Sequence, residues 1–108
     1  MTTLSSHVLD LDRGVPAAGV HVALYRHGQV LAEARTDPSG RIADLGGGQL
    51  QPGTYAMVFD IATYLTEQGR AAPFLQRVTL EVTLDGAQSH YHVPLLMTPY
   101  ACTTYRGS

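Results

Sequence analysis

The sequence predicts an all-β protein, a sandwich or barrel, and three observations carry that expectation. Apolar alternation comes in short segments, Gly, Pro and Asp interrupt it at intervals of about ten residues, and only one stretch has helical spacing. With 108 residues, the chain has room for one domain, spanning residues 1–108, around a single core.

Seven segments are expected to be strands: Leu4 to Leu9, Val20 to Arg26, Val30 to Thr36, Arg41 to Asp44, Gly53 to Asp60, Val78 to Leu84 and His90 to Met97. An eighth is expected at Cys102 to Arg106. The stretches RGVPAAG, DPSGR and LGGGQLQPG separate them with turn chemistry, since Gly supplies positive φ and Pro presets it. In IATYLTEQG, Ile61, Tyr64 and Leu65 recur at helical spacing, with Asp60 as N-cap and Gly69 as the stop. Alternation also assigns faces. Val20, Val22 and Leu24 oppose His21, Ala23 and Tyr25. In the His90 segment, Tyr91, Val93 and Leu95 form the apolar face, which sends His90, His92 and Pro94 to the other. In the first strand Leu4, Ser6 and Val8 oppose Ser5, His7 and Leu9, a weaker contrast.

Composition excludes several functions. A net charge of −2 gives no electrostatic reason for a nucleic-acid or anionic-membrane partner. The longest apolar runs, Tyr55 to Phe59 and Val93 to Met97, fall far short of the roughly 20 residues of a spanning helix. MTTLSSHVLD lacks the basic start and apolar run of a secretion signal. Cys102 is the single cysteine, so no internal disulfide forms, which fits a reducing cytosol. All seven basic residues are arginine, which removes lysine Schiff-base chemistry and a phosphate-loop lysine.

The polar candidates each have an ordinary structural alternative. His90 and His92 form an H-x-H pair, but no third ligand completes a zinc site. Gly46 to Gly48 precede no helix and read as a hairpin loop rather than a phosphate cradle. Cys102 has no base beside it in sequence and reads as a small residue near a strand. Arg41 reads as a solvated residue at a sheet edge, Asp37 as the shaper of its own turn, and Tyr105 and Arg106 as residues of a terminal edge strand.

Longer motifs add to this. GVPAAGVHVALYR, TDPSGR and LQPGTY resemble the prealbumin-like sandwich module, which by itself supports only a fold. LSSHVLD, the Gly40–Arg41 pair, HYHVPLL and the terminal YRGS together resemble the transthyretin-related 5-hydroxyisourate hydrolases of urate breakdown, nearly end to end. That resemblance implies a transthyretin-like, two-sheet antiparallel β-sandwich of seven to eight strands with one short helix. It implies a catalytic set of His7, Arg41, His92 and Ser108, and substrate contacts from Arg41, Tyr105, Arg106, Gly107 and Ser108. It also implies a homotetramer, a dimer of dimers with sites where subunits meet, working in the cytoplasm. The chain departs from the usual pattern at Ala101, Cys102 and Thr103, where Gly, an aromatic residue and Ser commonly stand.

The expected reaction is hydrolysis of 5-hydroxyisourate, a purine-derived small molecule, without metal or organic cofactor. One imidazole of the pair His7 and His92 would activate water, and Arg41 would stabilise the oxyanion; which histidine is the base stays open at this level. The competing expectations are a non-enzymatic carrier of small molecules and a metal-binding sandwich using His90 and His92.

Overall fold

The computed structural model describes residues 2–48 and 50–108. Two sheets face each other across one core. The first has the order β2 (Val15–Pro16), β1 (Thr3–Asp10), β8 (His90–Met97) and β9 (Cys102–Thr104), with β5 (Arg41–Ile42) also paired to β1. The second has the order β4 (Gln29–Arg35), β3 (His21–Arg26), β6 (Gly53–Asp60) and β7 (Arg77–Leu84). The short helix α1 (Ile61–Glu67) follows β6 directly.

The expected architecture holds, with two additions. The two-residue strand β2 is too short for alternation to reveal. The central pair of the first sheet, β1 and β8, is parallel over eight register pairs from Thr3↔His90 to Asp10↔Met97. Most of the chain lies between these two strands, so no hairpin forces them antiparallel. The expected strand from Arg41 to Asp44 shrinks to Arg41–Ile42.

Alternation set the faces correctly. Leu4 and Val8 of β1, Val22 and Leu24 of β3, Met57 and Phe59 of β6, and Val93, Leu95 and Met97 of β8 meet in the core. Burying each such side chain fully contributes roughly 1.5–3 kcal/mol. The odd-numbered residues of β1 and the even-numbered residues of β8 are thereby turned to the outer face of the first sheet.

Helix α1 begins as its sequence suggests. The Asp60 carboxylate accepts hydrogen bonds from the Thr63 amide at 3.1 Å and the Thr63 hydroxyl at 2.8 Å. Past the last turn, Gly69 takes φ +71° while its amide and that of Arg70 return to the carbonyls of Thr66 and Leu65, a left-handed stop that glycine adopts without steric cost. The helix is then clamped to β1. Asp10, fully buried, accepts from the Arg70 guanidinium at 2.6 Å, the Tyr64 hydroxyl at 2.9 Å, and the amides of Asp12 and Arg13 at 3.1 Å each. Burial pushes the Asp10 carboxyl up, but these donors outweigh it and hold it below the ordinary carboxylate value.

Candidate active site

The turn Asp37–Arg41 builds one wall. Asp37 Oδ1 accepts from the Ser39 amide, the Ser39 hydroxyl and the Arg41 amide at 2.7–2.9 Å. These bonds, led by the Ser39 hydroxyl, lower the Asp37 pKa. Asp37 thus shapes its own turn. Gly40 sits at φ +80°, where a Cβ would lie 2.5 Å from the Val8 carbonyl oxygen, so this close approach admits only glycine. The result docks the turn on β1 through Val8 N–H to Gly40 C=O at 2.7 Å and sets Arg41 opposite His7 in register.

The same turn orients His7. Its Nε2 lies 2.9 Å from the Ser39 carbonyl oxygen. A carbonyl only accepts, so Nε2 carries the proton, and in the neutral ring Nδ1 is the bare nitrogen.

His92 stands on the neighbouring strand. In the β1/β8 register it pairs with Ser5, while His7 pairs with Pro94, so the two histidines are diagonal neighbours on one outer face. The His92 ring is half-buried, and its pKa is lowered first by that burial, then by the charges of Arg41, His7 and His90. An imidazole so placed stays neutral, and able to accept a proton, at pH values where a free one is already partly charged.

The C-terminal segment is tied to the same spot. β9 pairs with β8 through Leu95↔Thr104, and the same register returns three residues later as the bridge His92↔Gly107, with Gly107 N–H to His92 C=O at 2.7 Å. The ladder breaks between them where Pro94 has no N–H to offer, and the Thr104 hydroxyl takes the Pro94 carbonyl at 2.8 Å instead. A Cβ on Gly107 would lie 2.7 Å from His92 Cδ2, so the absence of a side chain there lets the imidazole lie flat against the backbone.

His7, Arg41, His92 and Gly107, with Ser108 next to it, thus converge on one face. Tyr105 and Arg106 do not join them within the chain. They line a separate groove of about 440 Å³ between β7 and the β8–β9 edge, beside Leu84, Tyr91 and Val93. Arg106 lies near enough to Asp85 to help lower its pKa, behind the larger effects of the Tyr91 hydroxyl and the Ala87 amide. Cys102 is exposed on β9, away from these groups in register.

The H-x-H pair serves a different purpose from the ligand pair considered in sequence. Both rings turn toward one hydroxyl: Ser5 Oγ is 2.9 Å from His90 Nε2 and 2.7 Å from His92 Nδ1. The outer face, read by alternation, already contained Ser5 and His90. What was missing was the parallel register that joins them.

Comparison with known proteins places the chain in a family. Residues 4–107 match the HIUase/transthyretin family. The chain is 43% identical to the 5-hydroxyisourate hydrolase of Deinococcus radiodurans, over 97% of this chain and 95% of that protein. Among solved structures it resembles Klebsiella pneumoniae 5-hydroxyisourate hydrolase with a TM-score of 0.91 and 37% identity, each chain fully covered. Transthyretin from Sparus aurata follows at a TM-score of 0.86 and 28% identity, over 99% of this chain and 97% of that one.

Proposed function

The chain belongs to the HIUase/transthyretin family, and from that premise we infer that it is an enzyme of urate breakdown. It hydrolyses 5-hydroxyisourate to 2-oxo-4-hydroxy-4-carboxy-5-ureidoimidazoline. The observation that carries this reading is the convergence of two imidazoles and a guanidinium on one outer sheet face, with the chain terminus folded back beside them. A carrier of apolar molecules has no use for such a face, and the carrier alternative is not favoured.

The proposed chemistry needs only these groups. A neutral imidazole of the pair His7 and His92 takes a proton from water as the oxygen attacks the ring carbonyl, forming the C–O bond. The oxyanion lies against Arg41, whose planar fork of donors suits an oxygen-rich, flat substrate. Collapse re-forms the carbonyl, breaks the C–N bond, and the proton passes to the departing nitrogen. Gly107 and Ser108 close the side of the site next to His92, where the Ser108 hydroxyl positions substrate. No cofactor takes part.

Tyr105 and Arg106 are assigned to substrate through assembly. Four chains, as a dimer of dimers, would bring these exposed residues against a neighbour's site. Support comes from the edge positions of β7 and β9 and from the apolar groove between them, a surface that one two-fold contact could cover on both partners. Light scattering should then give about four times the 11.6 kDa of one chain, and a monomer mass would remove the assembly. Among the described residues no helix is long and apolar enough to cross a membrane. Action in the cytoplasm is part of the same proposal.

The direct test generates 5-hydroxyisourate from urate and urate oxidase and follows the decay of its ultraviolet absorbance. Wild type should far outpace the spontaneous background, and His92→Asn and Arg41→Ala should fall toward it. Wild-type decay at the background rate would refute the hydrolase reading.

A further inference from the structure

We propose that Ser5 and His90 are positioning residues that fix the tautomer of His92, holding its proton on Nδ1 and leaving Nε2 bare as the base of the reaction. The proposal rests on the hydrolase reading for its chemistry and on four contacts for its geometry. The Thr3 hydroxyl donates to the Ser89 carbonyl at 3.3 Å. It also touches His90 Nδ1. Having spent its single proton, that hydroxyl accepts there, so His90 carries its proton on Nδ1.

The polarity then runs in one direction. A neutral His90 with Nδ1 protonated has a bare Nε2, which accepts the Ser5 hydroxyl at 2.9 Å. Ser5 Oγ, its proton committed to His90, accepts from His92 Nδ1–H at 2.7 Å. His92 Nε2 is left without a proton. Which nitrogen of an imidazole is free is set by the bond its other nitrogen makes, and here the direction of that bond is traced through Ser5 and His90 to the Thr3 hydroxyl and the Ser89 carbonyl it donates to.

When Nε2 takes a proton from water, the Nδ1–H bond to Ser5 becomes charge-assisted and stronger, so the same hydroxyl favours the charged ring as it forms. The groups facing His92 are His7 from β1, Arg41 from β5 and His90 from its own strand, and the C-terminal segment presents the Gly107 backbone. Of these, only His90 reaches His92 through a shared hydroxyl. His7 has its tautomer fixed directly by the Ser39 carbonyl, with no side-chain hydroxyl behind the ring.

Ser5→Ala should lower kcat by about 10-fold or more with KM within about twofold, because the hydroxyl lies behind the ring and not against substrate. Ser5→Thr, which restores a hydroxyl on the same stem, should recover most of the loss. His90→Ala, which removes the acceptor of the Ser5 proton, should lower kcat in the same way with KM little changed. Nitrogen-15 NMR of the labelled wild-type protein reads the tautomer without any turnover. It should show His92 protonated on Nδ1, and a mixture of tautomers in Ser5→Ala. A Ser5→Ala enzyme within twofold of wild-type kcat, or a wild-type His92 protonated on Nε2, would overturn the proposal. Since the spectrum requires no catalysis, its failure is separate from a failure of the hydrolase assay.

Discussion

On the core side of β1, Asp10 is surrounded by donors: a guanidinium, a phenol and two backbone amides. On the outer side of the same strand, three residues upstream, His7 has one partner for two ring nitrogens among the described residues, and across the sheet His92 is held among them at Nδ1 alone. Both clusters contain arginine and both gather residues distant in sequence. They differ in completeness. A buried charge with every lone pair occupied has nothing left to offer a substrate, and its contribution is to lock α1 onto the first sheet. An imidazole with one occupied nitrogen is oriented and still reactive. Saturation marks the structural cluster, and an oriented vacancy marks the proposed catalytic one.

Substitutions should separate the two faces of the strand. The largest effect expected is on the outer face: His92→Asn should lower kcat/KM by about 10²- to 10⁴-fold while leaving the thermal midpoint near wild type. Arg41→Ala should cost roughly 10²- to 10³-fold, again without unfolding, because its side chain is exposed. The core face should respond in the opposite way. Arg70→Ala leaves Asp10 buried without its cation and should destabilise by about 3 kcal/mol, read from urea midpoints, with kcat per folded molecule unchanged. A mutant of Arg70 that is stable but inactive, or of His92 that is active but unstable, would erase the distinction.

Acid sharpens the same contrast. The fold holds His92 below the ordinary imidazole value of about 6.5, so its neutral form is favoured. The stability it contributes is full above that value and fades as pH falls through the lower folded one. Asp10 is also depressed, so its contribution is present above the ordinary carboxylate value of about 3.9 and is lost only as pH falls through its own lower value. Descending from neutrality, turnover should be lost first and tertiary structure later. Parallel absorbance assays and near-ultraviolet circular dichroism measure the gap, and simultaneous loss would mean the two clusters titrate as one.

Sequence reading reached some of this and not the rest, for a physical reason. Alternation depends only on neighbours two apart, so the outward direction of His90 and His92, the inward direction of Tyr91 and Val93, and the cap at Asp60 were all legible. The turn role of Asp37 was legible too, since its partners lie two and four residues away. Pairing β1 with β8 joins residues about 87 positions apart, and no local pattern encodes which register they adopt. The Ser5 bridge and the placement of His7 beside His92 were therefore invisible without the fold. So was the Asp10–Arg70 clamp, sixty residues long in sequence. The resemblance named His7, Arg41, His92 and Ser108 as a catalytic set and Gly107 among the substrate contacts. It also named as substrate contacts Tyr105 and Arg106, which line the groove where the ladder breaks.

The smallest expected effect is at Gly107, and it tests whether orientation rather than composition makes the outer face reactive. Gly107 contributes no functional group, and its backbone is not in the left-handed region, so alanine there carries no conformational strain. The whole effect should come from a methyl group 2.7 Å from His92 Cδ2 and 3.3 Å from its Cβ. The ring cannot move toward β1 without crowding Ser5, so it must rotate or push the terminal segment outward. A displacement below 1 Å should cost roughly 10-fold in kcat/KM, because the bare nitrogen then points away from the attacking water. Stability should change little, as the bridge at Gly107 is a single isolated pair near the chain end. Full activity in Gly107→Ala would mean the imidazole tolerates reorientation, and the difference between a saturated and an oriented cluster would then rest on charge alone.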